Sequence, residues 1–331
     1  MLKLKYLTVS FLAPLILVAC GGGGGGGSDS GFTNPYDADA TYTGTRTQAT
    51  ITNSNQIDFM RALYGVEYEG VSLASTEQNA AIQEHSFSNF IKGLTTLALR
   101  STQRSSGYTL AATAAISETI ACKSSGTMKA AGEVDNQTGL GVLTLTMTNC
   151  VDTLGKANGT VQVAITGYDT TQGMATAFTL TFQNLKVNYS VVSYTAVGTQ
   201  SYSSAQGIET TTSNIYRMNH NTNKQSLVKN YKVVTSSAYA TTFKLSGQVY
   251  LQDYGYATLS TLSNVTFSDA GIPVAGKALL SGASSSKLRM TASNSSLGFE
   301  LDSNGDNTYE ETGYITLLEL FGDGDYCISG C

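Results

Sequence analysis

From Gly107 onward the chain alternates apolar and polar residues with a period of two, the signature of strands with one buried face. Leu143, Leu145 and Met147 alternate with threonines; Val161, Val163 and Ile165 repeat the pattern, as do Phe178, Leu180 and Phe182, and then Phe243, Leu245, Val249 and Leu251. Short turns rich in Gly, Asn, Asp and Ser separate these runs, and the pair Asn158-Gly159 reads as a two-residue hairpin turn. The pattern predicts roughly ten to thirteen strands paired sequentially and antiparallel. Before Gly107 the period differs. Thr41 to Thr50 alternates and reads as a short first strand. Asn53 or Ser54 then caps a helix over about 54–64, carried by Ile57, Met60 and Leu63 or Tyr64, with Gly65 ending it. Ser75 with Gln78 has the form of a capping box, and Phe87, Phe90, Ile91, Leu94, Leu97 and Ala98 form one stripe of a helix over about 75–100. The expected fold is mainly β: a curved antiparallel meander or partly closed barrel with two N-terminal helices packed on it.

Composition supports that reading. Charged residues are 13% of the chain and Pro numbers three, whereas 41% of residues are apolar, enough to bury a sizeable core. The formal net charge is −5, so no basic face for nucleic acid is expected.

The N-terminus carries an address. Lys3 and Lys5 precede an apolar run from Tyr6 to Val18, too short for the roughly 20 residues of a membrane-spanning helix and built like a signal peptide. It ends in Leu17-Val18-Ala19-Cys20. That segment resembles the lipobox of bacterial lipoproteins, and an ordinary secretory signal with an incidental cysteine is the alternative. The resemblance implies removal of residues 1–19, diacylation of Cys20 on sulfur, and anchoring by two or three acyl chains. Gly21 stands where lipoproteins retained in the inner membrane usually carry aspartate, which implies the outer membrane. Gly21 to Gly27 is neither preceded by a strand nor closed by a lysine and a serine or threonine, so it is a flexible tether over 20–40 rather than a phosphate loop. A single β-rich domain then spans 41–331. The phrases Asp253-Tyr254-Gly255-Tyr256, Leu259-Ser260-Thr261 and the run from Asp302 to Glu310 look like a group of uncharacterised proteobacterial lipoproteins. So do Tyr42-Thr43-Gly44 to Ala49-Thr50-Ile51 and Thr148-Asn149-Cys150 to Asn158-Gly159-Thr160. The likeness implies a β-rich envelope protein and supplies no catalytic residue.

Apart from Cys20, four cysteines remain, Cys122, Cys150, Cys327 and Cys331, an even number suited to an oxidising compartment. A hairpin turning at Asp135 to Gly139 brings Cys122 within a few residues of opposite Cys150, so these two are expected to pair. Cys327 and Cys331 would then pair within the tail. A zinc site is disfavoured, because no Cys-x-x-Cys knuckle and no suitable histidine accompanies them.

Candidate chemistry is sparse. The two histidines, His85 and His220, fall in neither a His-Glu-x-x-His motif nor a hydrolase elbow. Ser226 with Lys229, and Ser284 with Lys287, satisfy the Ser-x-x-Lys spacing of penicillin-recognising enzymes, but on predicted strands rather than at a helix start. The 19 tyrosines suit either cross-strand packing or a carbohydrate-stacking surface. Asp302, Asn304, Asp306 and Glu310 alternate as in the first half of a calcium loop, but Asn307 occupies the glycine position and Gly313 replaces the closing glutamate. A weak calcium site and a plain hairpin turn are both compatible with that run. The leading expectation is a non-catalytic lipoprotein that binds a protein or glycan or serves envelope structure. A carrier of lipid or another apolar molecule is second, and a serine hydrolase third.

Overall fold

The computed structural model describes residues 36–68, 113–122, 124–135, 137–151, 156–169, 174–188, 193–236, 242–267, 273–293, 296–316 and 320. Residues 1–35, with Cys20 and the glycine run, the helix expected over 75–100 with His85, and Cys327 and Cys331 lie outside the described residues. The described residues belong to one compact unit.

Fourteen strands follow one another: β1 (Thr113–Ala121), β2 (Ser125–Asp135), β3 (Gly141–Val151), β4 (Lys156–Asp169), β5 (Met174–Asn188), β6 (Ser193–Ala205), β7 (Ile208–Asn219), β8 (Lys224–Ser236), β9 (Thr242–Leu251), β10 (Gly255–Phe267), β11 (Pro273–Ser281), β12 (Lys287–Ser293), β13 (Ser296–Asp302) and β14 (Glu311–Thr316). They form a single sheet in which each pairs antiparallel with the next, the sequential meander expected from the turn-rich sequence and somewhat larger than the ten to thirteen strands anticipated. The sheet is not closed: among the described residues β1 and β14 do not pair.

The alternation read in the sequence is the alternation of faces. Leu143, Leu145, Val161, Val163, Leu180 and Phe182 are fully buried in one contiguous cluster that runs from Ile116 on β1 to Ile315 on β14. Each such side chain contributes about 1.5–3 kcal/mol by leaving water. Helix α2 (Gln56–Tyr68) adds Phe59, Met60 and Leu63 to the same cluster. It starts two residues later than expected. Asn55, rather than Asn53 or Ser54, provides the first carbonyl of the helical ladder, accepting from Phe59 N–H at 3.1 Å. Gly65 does not end it, because glycine inside a helix costs only about 1 kcal/mol, and the helix continues to Tyr68.

A sheet of this width needs places to bend, and a row of bulges supplies them. Asn149, Asn184 and Asn230 adopt left-handed backbone (φ 47, 54 and 50°), which asparagine tolerates better than most residues. The registers shift beside each of them, and again at Asn214 and Asn264. A glycine lies against each bulge on the neighbouring strand. A Cβ on Gly247 (φ 130°) would sit 2.6 Å from the Asn230 carbonyl oxygen, and one on Gly159 (φ 123°) 2.8 Å from that of Asn184. Asn158-Gly159 therefore lies inside β4, facing the bulges at Asn149 on β3 and Asn184 on β5, and is not the hairpin turn that its sequence resembles. The asparagine side chains also satisfy backbone donors freed by the bulging: Asn158 Oδ1 accepts from Asn149 N–H at 2.7 Å, and Asn214 Oδ1 from Asn230 N–H at 2.8 Å.

The segment before α2 is the largest departure from expectation. Residues 36–40 belong to the fold rather than to the tether. A short helix, α1 (Ala38–Thr41), is capped by Asp37, whose carboxylate accepts from Asp39 N–H at 2.8 Å. Thr41 to Thr50 is not a strand either; one parallel bridge, Gln48 to Tyr256, is its sole sheet pairing. Instead it straps the ends of successive hairpins. Thr45 N–H donates to Gln252 O at 2.8 Å, Ala49 N–H to Tyr256 O at 2.8 Å, Ala283 N–H to Ala49 O at 2.7 Å, and Ile51 N–H to Ser286 Oγ at 2.9 Å. Ala38 and Tyr42 close a second, smaller cluster with Val197, Tyr216, Leu227 and Tyr250, on the sheet face away from the main core.

Cys122 and Cys150 are joined, with Cα atoms 5.4 Å apart. Cys122 lies beyond the end of β1, where its N–H donates to Gly126 O at 3.1 Å, and Cys150 lies on β3. The bond therefore staples the β1–β2 turn to β3 across β2, whereas the hairpin argument placed both cysteines on directly facing strands.

Candidate functional site

The run from Asp302 to Glu310 connects β13 to β14. Asp302 ends β13 with its side chain fully buried, and Glu311 opens β14 opposite Leu301. The connection is built on its own side chains. Asp302 Oδ1 accepts from Gly305 N–H at 2.7 Å and Oδ2 from Asn307 N–H at 3.0 Å. Asn304 Oδ1 accepts from Asp306 N–H at 2.8 Å, Asp306 Oδ1 from Thr308 N–H at 2.7 Å, and Glu310 Oε2 from Ser303 N–H at 3.0 Å. These are the Asx-type bonds that hold polar turns without help from a ligand. The Thr308 N–H bond holds the Asp306 carboxyl below the usual carboxylate range.

Asp302, Asp306 and Glu310 offer carboxylate oxygens within 4.8 Å of one another, while the Asn304 amide turns its nitrogen to Asp306 Oδ2 at 3.2 Å. A calcium ion takes six to eight oxygens at 2.3–2.6 Å. The set here is short of that number, and its one buried member already accepts two backbone bonds. A cation of the chain's own stands beside it: Lys287 Nζ donates to Asn307 Oδ1 and lies 4.0 Å from Asp302 Oδ2. The loop is thus held as a turn by its own side chains, and its carboxylates keep lone pairs that these bonds do not use.

Neither Ser-x-x-Lys pair has the geometry of a nucleophile and base. Ser226 and Lys229 lie along β8, and Lys229 Nζ donates to Asp39 Oδ2 at 2.6 Å. That bond raises the Lys229 pKa and, together with the Arg46 guanidinium, lowers that of Asp39. A lysine held protonated cannot accept a proton. Ser284 sits in a 3-10 turn (Ala283–Ser285) with φ 52°, and its partner in spacing, Lys287, is turned to Asn307. His220 Nε2 lies 2.8 Å from Thr195 Oγ1 at exposed hairpin ends.

On the outer face of β12 to β14, Arg289 and Glu300 form a two-bonded ion pair that the sequence reading did not single out. The Arg289 guanidinium also stacks 4.4 Å from the centre of the Tyr309 ring. The pairing depresses the Glu300 pKa. Cross-strand register would have found it, since Arg289 faces Glu300 directly once β12 and β13 are aligned. No protein-family model matches the sequence, and neither a curated protein nor a solved structure matches the chain.

Proposed function

We propose that the chain is an outer-membrane lipoprotein, anchored through acylated Cys20, whose β-meander is a non-catalytic module that binds a protein or glycan or serves envelope structure. The observation that carries the non-catalytic reading is the pairing of the candidate ionisable groups into the fold itself: Lys229 with Asp39, Lys287 with Asn307, and Arg289 with Glu300. Export through an oxidising compartment is supported by the Cys122–Cys150 bond. The lipid-carrier reading needs an open apolar space, and the fully buried Leu180, Phe182, Leu185 and Leu145 on the core face favour a filled interior instead.

The anchor is tested by fractionating cells that express Cys20→Ala. The variant is expected to keep residues 1–19 and to leave the outer-membrane fraction, held if at all by its uncleaved signal segment in the inner membrane, and an unchanged outer-membrane fraction contradicts the anchor. Gly21→Asp is expected to move the protein to the inner membrane by the ordinary sorting rule.

A further inference from the structure

Lys287 opens β12 beside the turn that joins β13 to β14, and it is paired differently from Lys224 and Lys229. Those two bond carboxylates directly, of Asp253 and Asp39. Lys287 Nζ instead donates to a carboxamide oxygen, Oδ1 of Asn307, while the carboxylate oxygen Asp302 Oδ2 stands back at 4.0 Å. The Asp302 side chain is fully buried and that of Lys287 is 27% exposed. Strand register fixes this arrangement: Lys287 pairs with Asp302 across β12 and β13, and Asp302 Oδ2 accepts from Asn307 N–H at 3.0 Å. One buried carboxylate therefore sits against both partners of the lysine–asparagine contact.

The turn itself does not call for the Asn307 amide. Asp302, Asn304, Asp306 and Glu310 each give a side-chain oxygen to a backbone N–H of the turn. The Asn307 side chain reaches out of it to Lys287. Its backbone has φ 69°, where glycine serves without steric cost. What the amide brings is an acyl carbon beside an amine. An amine held against a carboxamide, with a carboxylate placed to move protons, is the constellation for acyl transfer.

We infer that Lys287 and Asn307 join in an intramolecular isopeptide bond, formed once per chain with Asp302 as the proton carrier. The Lys287 ammonium gives a proton to the Asp302 carboxylate, and the freed amine attacks Cγ of Asn307. As the Nζ–Cγ bond forms, Nζ sheds a second proton to Nδ2, the Cγ–Nδ2 bond breaks and ammonia leaves. The ammonia takes back the proton held by Asp302 and departs as ammonium into solvent, to which Asn307 is exposed. An ammonium and a carboxamide thus give a secondary amide and an ammonium ion, with no oxidant or further reactant. Holding the two groups in contact replaces the encounter that makes this exchange slow between free molecules. The product closes a loop across a sequence separation of 20 and clamps the start of β12 to the β13–β14 turn. One event per chain is self-modification without turnover, so the module remains non-catalytic toward other molecules.

The test is tryptic peptide mapping by mass spectrometry of the purified full-length chain after reduction. The expected product is residues 278–289, uncut after Lys287, joined to residues 290–331 with loss of about 17 Da as ammonia. Lys287→Arg keeps the charge and the donor, and Asn307→Gly suits the backbone. Both should give unlinked peptides and a lower melting temperature. Asp302→Asn should leave Lys287 and Asn307 unjoined, and the other two variants keep the test readable if it fails to fold. Cleavage after Lys287 in the native chain, with Asn307 unchanged, overturns the cross-link. A loss of about 17 Da that survives Lys287→Arg also overturns it, in favour of a succinimide at Asn304-Gly305. A linked product in folded Asp302→Asn overturns the role given to Asp302.

Discussion

Two glycines in comparable strand interiors should respond oppositely to the same substitution. Gly247 has φ 130° and the Asn230 carbonyl 2.6 Å from where a Cβ would stand, so Gly247→Ala meets both a disfavoured backbone and a backbone clash. A loss of about 1–3 kcal/mol is expected in urea unfolding. Gly298 has neither obstacle, and Gly298→Ala should be neutral or stabilise by about 0.5–1 kcal/mol through reduced freedom of the unfolded chain. Equal losses at both positions would mean that the bulge row is not what requires glycine. The asparagines opposite were legible in part. The apolar spacing lengthens from two to three between Phe182 and Leu185, where Asn184 bulges, but Asn next to Gly reads as a turn when strand partners are unknown.

At the level of elements, the strap and the disulfide tie distant parts of the meander together. Breaking the Cys122–Cys150 bond, which closes a sequence separation of 28 residues, should cost about 3.5 kcal/mol by loop-entropy arithmetic. The check is denaturant unfolding of the Cys122→Ala, Cys150→Ala double variant. In the strap, Asp39 binds both Lys229 and Arg46, at partly exposed positions where each pair contributes at most about 1 kcal/mol. Its folded pKa lies below the ordinary 3.8, so its contribution is in full above that value and drains as pH falls through the folded pKa. Asp39→Asn should therefore be less stable than the native chain at pH 7, and the two should begin to converge as pH falls past about 4 and meet once it is below the folded pKa. A difference that persists at pH 2 would assign the effect to packing. The strap escaped the sequence reading because Tyr42, Ala49 and Ile51 are buried while most of the residues between them are exposed. That alternation imitates a strand, although its bonds go one at a time to separate hairpins. The α2 boundary was missed by a few residues because Gly65 was given more power to stop a helix than its cost warrants.

For the whole molecule, fold class was the most legible property. One apolar face at period two, repeated along more than half the chain with short polar turns, leaves sequential antiparallel pairing as the simplest way to bury it. What the pattern could not give was the strand total, since turns and bulges share the same residues. The acidic turn at the end of β13 is likewise a whole-molecule question, because a bound ion would raise global stability through linkage. About 10 mM calcium added to chelator-treated protein should leave the melting temperature unchanged if the turn is held by its own side chains alone. A rise that Asp302→Ala abolishes would establish a metal site.

The proposed role rests on how the chain is held in the envelope, and mass spectrometry of the mature N-terminal peptide measures that directly. The account predicts that the first residue is Cys20, that residues 1–19 are gone, and that the peptide carries the added mass of a diacylglyceryl group with or without a third acyl chain. An unmodified Cys20, or cleavage at another position, would contradict it.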